Sequence, residues 1–296
     1  MSFSQDVKTE LCGVKPSGCC NKAECYGILL FNRMFSYNSM SLLTESEEVA
    51  IKCAELLKHN FNVVAKISSG GIKRDMYKVA VEDEADRLKI LLGFGHNPED
   101  SNPFFNKRII SKECCISAFV RGAFLASGTV SDPSKSYRAE IIVPSKPAAD
   151  FLADVLLKRG LACNISKRSN NYIIYFKESE NVEDFLTVMN ATTHTLEIMN
   201  MRIYKDMRNR ANRIRNCEDA NISKTVNAAV RQKTAIAKLK ASGAFELLPD
   251  DLKEVATLRI SYPEASLNEL CQLHKTPINR SQLNYKLNKI IAYSEK

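Results

Sequence analysis

A chain of 296 residues with 45% hydrophobic and 26% charged residues has a globular composition, long enough for two domains or one with an appendage, and predominant disorder is excluded. No run approaches the roughly 18 apolar residues of a membrane span, and the first fifteen residues, charged at Asp6, Lys8 and Glu10, lack the apolar core of a signal peptide, so a cytoplasmic protein is expected. The net charge of +8 is local: of 42 Lys/Arg and 34 Asp/Glu, Met201–Lys240 holds 11 and three, which leaves 31 of each sign elsewhere. A solvated basic face is normally diluted by Glu, so this concentration points to nucleic acid.

From the N-terminus, the pair Cys19-Cys20 recurs as Cys114-Cys115, Ala23 as Ala118, Gly27 as Gly122 and Tyr77 as Tyr172, all at an offset of 95. The order of predicted elements repeats with them. Each unit opens with a helix apolar on most sides, Ala23 to Asn32 and Ile116 to Ser127, and continues into a strand, Met40 to Thr44 and Ala139 to Val143. A helix capped by Ser46 or Ser145 runs to Lys58 or Lys158, with Glu47 and Glu48 at the positive end of the first. A hairpin follows, Asn62–Ser68 with Met76–Val81 and Ala162–Lys167 with Tyr172–Phe176, and a last helix lies near Glu84–Leu92 and Val182–Met189. The expected fold class is α+β, a pseudo-symmetric body of two α-β-α-β-β-α units. The expected boundaries are 1–93 and 111–190 for the units, joined by a Gly- and Pro-containing surface loop over 94–110.

The ten cysteines do not form a secreted disulfide framework in a chain of this length and are expected to be reduced. Cys19, Cys20, Cys25, Cys114 and Cys115 invite a zinc cluster, but CxxC and HxxxH spacings are absent and the four histidines are scattered. They are therefore expected to be small buried residues, with no metal and no cofactor. SSGG at Ser68–Gly71 joins two strands and is a turn, not a phosphate cradle, and no Ser-His-Asp or Cys-His pair has local support.

Past Asn190 the pattern becomes all-helical. Residues 191–222 read as a basic connector with Arg208, Arg210, Arg213 and Arg215 on more than one helical face, and 223–296 as a separate domain with helices over Ser223–Lys240 and Leu248–Ile260. In Tyr262–Ser294, Ser266 caps a helix carrying Leu267, Leu270, Cys271 and Leu273, the segment HKTPIN breaks it at Pro277, and Asn279 caps a second helix with a buried stripe of Leu283, Leu287, Ile290 and Ile291. This is a helix-turn-helix pattern with a turn somewhat longer than usual. Its second helix leaves Arg280, Ser281, Gln282, Asn284, Tyr285, Lys286 and Lys289 outside, the side-chain types that pair with base edges or hold phosphates. An ordinary helical hairpin with a polar surface is the competing reading, disfavoured by the charge excess just upstream.

FVRGAFLASGTV at Phe119–Val130 resembles the signature helix of the LAGLIDADG homing endonucleases, whose two repeated units pack such helices side by side across a pseudo-twofold axis. In that family a carboxylate before the last signature glycine of each helix holds the catalytic metal. The matching positions here are Asn32 and Ser127, neither able to bridge a metal, so cleavage is not expected; a relocated pair such as Asp132 and Asp6 is the alternative. With MRNRANRIRNCEDANISKTVNAAVRQ, FLASGTVSDPSKSY and PEASLNELCQLHKTPINRSQLNYKLNKI in order, nearly the whole chain resembles the WhiA family. The resemblance implies a bacterial DNA-binding regulator linked to sporulation, cell division and chromosome segregation, associated with the nucleoid. Double-stranded DNA is its implied ligand, and a WhiB-type iron–sulfur protein or RNA polymerase its implied partner. Since the strands of the nuclease relatives form a saddle over DNA, Lys66, Lys73 and Arg74 in one hairpin and Lys167 and Arg168 in the other are candidate secondary phosphate contacts; basic loop tips that serve solubility alone are the competing reading. A protein-interaction scaffold merely localised to DNA is the third class of function.

Overall fold

The computed structural model describes residues 2–32, 34–70, 76–98 and 105–295. Its contacts divide the chain into a unit of residues 1–205 and a unit of residues 206–296.

The first unit holds two repeated halves. Helices α1 (Phe3–Gly13) and α2 (Gly18–Leu30) lead into strands β1 (Met34–Phe35) and β2 (Met40–Thr44), helix α3 (Glu47–Phe61), strands β3 (Lys66–Gly70) and β4 (Met76–Ala80), and helix α4 (Glu84–Phe94). The second half repeats this from α5 (Glu113–Ser127) through β5 (Gly128–Val130), β6 (Ala139–Val143), α6 (Lys146–Leu157), β7 (Asn164–Arg168), β8 (Asn171–Phe176) and α7 (Ser179–Met189). The two antiparallel sheets have matching orders, β1-β2-β4-β3 and β5-β6-β8-β7. The expected α+β body is present, and each half carries one strand more than the sequence pattern disclosed, because β1 and β5 span only two and three residues. The charged N-terminal segment forms α1, started by a capping box in which the Ser2 hydroxyl accepts from the Gln5 amide and the Gln5 side chain accepts from the Ser2 amide.

The core of this unit forms around α2 and α5, which are buried along nearly their whole length, as their apolar sequences require. Two glycines set how closely they approach. A Cβ on Gly27 would lie 2.2 Å from the Phe119 carbonyl oxygen, and one on Gly122 would lie 2.2 Å from the Glu24 carbonyl oxygen. Since Glu24 and Phe119 are themselves 95 apart, like Gly27 and Gly122, the contact is its own image under the pseudo-twofold. Between the helices the Arg121 guanidinium donates to the Glu24 carboxylate at 2.7 Å and to the Met189 carbonyl at 3.2 Å, all in the buried interior. The Lys52 ammonium lies 3.9 Å from the same carboxylate and donates to the carbonyls of Cys12 and Val14, fixing the loop that enters α2.

Helix α8 (Thr192–Ala241) is one continuous element of 50 residues, where the sequence pattern suggested two helices. No glycine or proline interrupts it. Its first turn is capped by Glu10 of α1, whose carboxylate accepts from the Thr193 and His194 amides and from the His194 ring. In the second unit, α9 (Asp250–Ser261), α10 (Leu267–Leu273) and α11 (Arg280–Ser294) close over a core of Leu252, Val255, Leu270, Leu283, Leu287 and Ile290, joined by Ile236 and Leu239 from the end of α8. No described helix is long and apolar enough to cross a membrane.

Candidate nucleic-acid interface

Helix α11 is built as the sequence pattern requires. Asn279 caps it, accepting from the Gln282 amide at 2.8 Å, and Leu283, Leu287 and Ile290 face α9 and α10 with Ile291 half-buried beside them. Two hydrogen-bonded devices hold the turn before it. Ser266 and Glu269 form a capping box at the start of α10, and the buried His274 ring turns Nδ1 toward Thr276, where one tautomer donates to its carbonyl at 2.9 Å and the other accepts from its amide at 3.3 Å. His274, which sequence alone leaves without a role, thus braces the start of the six-residue turn. Arg259, nearly buried, ties the preceding loop by donating to the Ala265 carbonyl at 2.7 Å.

This packing leaves Arg280, Ser281, Gln282, Asn284, Tyr285 and Lys289 exposed on one helix, Tyr285 at 67%. Two of the expected contacts are already engaged. The Gln282 side chain accepts from the Asn279 amide at 3.2 Å to complete the capping box, and Lys286 is half-buried with its ammonium 3.4 Å from Asp251. Neither is the free polar group that the helical pattern suggested, because capping and the packing of α9 claim them first. Asn288 on α11, next to Lys289, and Lys275 in the turn are exposed and were not singled out from sequence. A concavity of about 490 Å³ between α9 and α11 is lined by Asp251, Ser281, Gln282, Tyr285, Lys286 and Lys289.

The basic stretch divides as well. Residues 206–228 of α8 are exposed on every face, including Arg208, Arg210, Arg213 and Arg215. Arg202 and Lys205, counted in the same excess, are absorbed by the first unit. Arg202 pairs with Glu180 at 3.2 Å and Glu183 at 3.4 Å, and Lys205 donates to the Pro133 carbonyl and lies over the Tyr137 ring.

At the C-terminal ends of α2 and α5, a cavity of about 480 Å³ is lined by Asn32, Ser127, Met34, Leu43, Lys78 and Ile142 among others, and by no carboxylate among the described residues. The Asn32 amide donates to the Ser41 carbonyl of β2, and the Ser127 hydroxyl donates to the Ile142 carbonyl of β6 at 2.7 Å. Asn32 and Ser127 thus each tie a helix to its own sheet, and this donor set does not fit a divalent metal of the nuclease type. Asp132 lies outside the cavity, its carboxylate held below the usual range by hydrogen bonds from Ser134, and Asp6 lies in the first turn of α1. In the hairpins Lys66 pairs with Glu82 at 3.1 Å, and Lys167 and Arg168 are exposed at the end of β7; Lys73 and Arg74 lie outside the described residues.

Family models place this arrangement. Residues 116–208 match the WhiA LAGLIDADG-like domain and residues 211–293 the WhiA C-terminal HTH domain. A "Probable cell division protein WhiA" of Ruminiclostridium cellulolyticum is 33% identical over 306 residues, covering 100% of this chain and 98% of its own. The chain belongs to the WhiA family. A relative of the same name from Clostridium botulinum is 36% identical over 310 residues, covering 98% and 96% of the two chains. The crystal structure of full-length DUF199/WhiA from Thermatoga maritima superposes with a TM-score of 0.61 at 23% identity, over 100% of this chain and 98% of that one. That of an isolated N-terminal LAGLIDADG domain of DUF199/WhiA gives 0.50 at 18% identity, over 64% and 92%. The first shares the fold of the chain and the second that of its N-terminal body.

Proposed function

We propose that this protein is a sequence-specific DNA-binding transcription regulator that acts in cell division, as the names of its relatives suggest, and that its homing-endonuclease-like body binds without cutting. The observation that carries the reading is the exposed row Arg280, Ser281, Asn284, Tyr285 and Lys289 on a helix whose opposite face is locked into a helix-turn-helix core. Asn and Arg near the start of such a helix read base edges, whereas Arg208, Arg210, Arg213 and Arg215 supply charge to phosphates. In this reading residues 191–222 are the basic connector, 223–296 the base-reading domain, and Lys66, Lys167 and Arg168 secondary contacts. The protein works on the nucleoid, with RNA polymerase or a WhiB-type iron–sulfur protein as the class of partner the family resemblance suggests.

Genome-wide crosslinking supplies the target site, and anisotropy titrations on that site and on random DNA then test the assignment. Arg280→Ala and Asn284→Ala are expected to lose about 1–3 kcal/mol of discrimination each. Arg213→Ala is expected to weaken both DNAs alike and to lower the slope of log K against log salt by about 0.9. Equal losses on specific and random DNA for all three variants would remove the division of labour. Cleavage of supercoiled plasmid with magnesium, abolished by Asp132→Ala, would overturn the non-catalytic reading.

A further inference from the structure

At the N-terminal ends of α2 and α5, opposite the cavity of the lost acids, the doublets Cys19-Cys20 and Cys114-Cys115 meet. The four sulfurs all lie within 4.8 Å of one another, and those of Cys19 and Cys114 are 4.0 Å apart. We propose that these four cysteines form a tetrathiolate site for a single zinc ion that joins the two halves of the body.

The fold explains why two doublets make a quartet. The signature helices run side by side with their equivalent ends together, so any residue near the pseudo-twofold axis meets its own copy 95 positions away. Cys19 and Cys20 occupy the second and third positions of α2, and Cys114 and Cys115 the same positions of α5. With zinc–sulfur bonds of about 2.3 Å, a tetrahedron places its sulfurs about 3.8 Å apart. The present separations need shifts of about 1 Å or less, within reach of small side-chain rotations. One ion fits this spacing, whereas a cluster with bridging sulfides divides its thiolates between iron atoms and holds them further apart.

The surroundings suit a doubly negative thiolate centre. Two helix N-termini converge on it. The adjoining concavity, about 340 Å³, is lined by Cys20, Cys114 and Lys15 and by Arg121 and Arg159, which pair with Glu24 and with the lining Glu113. Ser17 donates its hydroxyl to the Cys20 sulfur at 3.9 Å, and the two Lys52 hydrogen bonds already fix the loop that presents the first doublet. Cys20 and Cys115 are buried while Cys19 and Cys114 are exposed, so the site is closed on the protein side and open to an ion from solvent. The described cysteines outside the quartet do not join such a group.

The test uses the full-length chain, purified with reductant, reconstituted with zinc and desalted. About one zinc per chain by elemental analysis is expected, and cobalt in its place should give the intense visible bands of tetrahedral thiolate coordination. Chelation should lower the melting temperature of the wild type and leave that of Cys19→Ser/Cys114→Ser unchanged, while Cys163→Ser, outside the quartet, keeps the metal. The exposed positions of Cys19 and Cys114 make the double variant safe for folding, which circular dichroism checks. Zinc absent after reconstitution while the native thiols still react with a thiol reagent would overturn the proposal. So would a Cys19–Cys114 disulfide in the reduced, zinc-treated protein, or cobalt bands that persist in the double variant.

Discussion

Replacing Gly122 by alanine tests the helix pair on which everything else in the body is mounted. The new methyl would sit 2.2 Å from the Glu24 carbonyl oxygen and 2.9 Å from the Ile28 nitrogen, about 1.3 Å and 0.6 Å inside an ordinary contact of about 3.5 Å. Both neighbours are backbone, so no side chain can turn away and the helices must part. Overpacking of this kind costs about 1–3 kcal/mol, and the upper end applies because the gap would run along two buried helices. For a unit of residues 1–205, about 3 kcal/mol lowers the melting temperature by roughly 6–12 °C. Gly27→Ala meets the Phe119 carbonyl at the same 2.2 Å and should cost as much. The double variant should cost less than the sum, since the first methyl has already opened the seam. Gly13→Ala, with nothing within 4 Å of its methyl, is the control and should stay within about 1 kcal/mol. Scanning calorimetry reads all four. A shift of the Gly122→Ala melting temperature no larger than that of the control would refute the close approach of these helices.

Two further predictions concern buried charge. Glu24→Gln leaves the Arg121 guanidinium inside the core without its carboxylate and should cost about 3–5 kcal/mol in urea unfolding, whereas Glu24→Met with Arg121→Met should recover most of it. Glu10 is partly desolvated, which raises its affinity for a proton, but hydrogen bonds from His194 and Thr193 outweigh this and hold it below the ordinary 4.5. The stability it contributes is therefore present above pH 4.5 and lost as the pH falls through its folded value. Glu10→Gln should cost about 1 kcal/mol at neutral pH, as loss of a cap does, and the difference from wild type should close on acidification. A gap constant from pH 7 to pH 3 would show that Glu10 does not cap α8 as a carboxylate.

Much of this architecture is legible in the sequence because its signals are local or periodic. Ser46, Ser145, Ser266 and Asn279 cap the helices that their positions forecast, and the stripe Leu283, Leu287 and Ile290 is buried as its spacing requires. β1 and β5 escape detection because two or three residues carry no alternation. The charge count located the basic helix but could not tell Arg213, in solvent, from Arg202, which meets Glu180 and Glu183 from a different helix. The cysteine doublets expose the same limit. Their spacing along the chain denies a metal motif, yet their recurrence at 95 residues, on helices that the repeat places side by side, contained the quartet. Symmetry converts sequence distance into contact, and a scan for contiguous motifs does not apply that step.

The opposite end of the same helix pair offers a test in which acids are introduced at Asn32 and Ser127. Ser127→Asp replaces a hydroxyl that donates to the Ile142 carbonyl at 2.7 Å with a carboxylate that can only accept, and Asn32→Asp does the same against the Ser41 carbonyl. Each change loses a tether between helix and sheet and leaves a carbonyl facing negative charge, a cost of about 1–3 kcal/mol apiece. The two carboxylates would share a cavity walled by Met34, Leu43 and Ile142, with Lys78 as a cation on its lining. The double variant should therefore melt lower at neutral pH and recover as acid neutralises the pair. Equal melting temperatures for the double variant and the wild type at pH 7 would mean that Asn32 and Ser127 bear no structural duty. With the tethers confirmed, Asn32 and Ser127 fasten the two central helices to their own sheets through donated hydrogen bonds, a task that a carboxylate at either position could not perform.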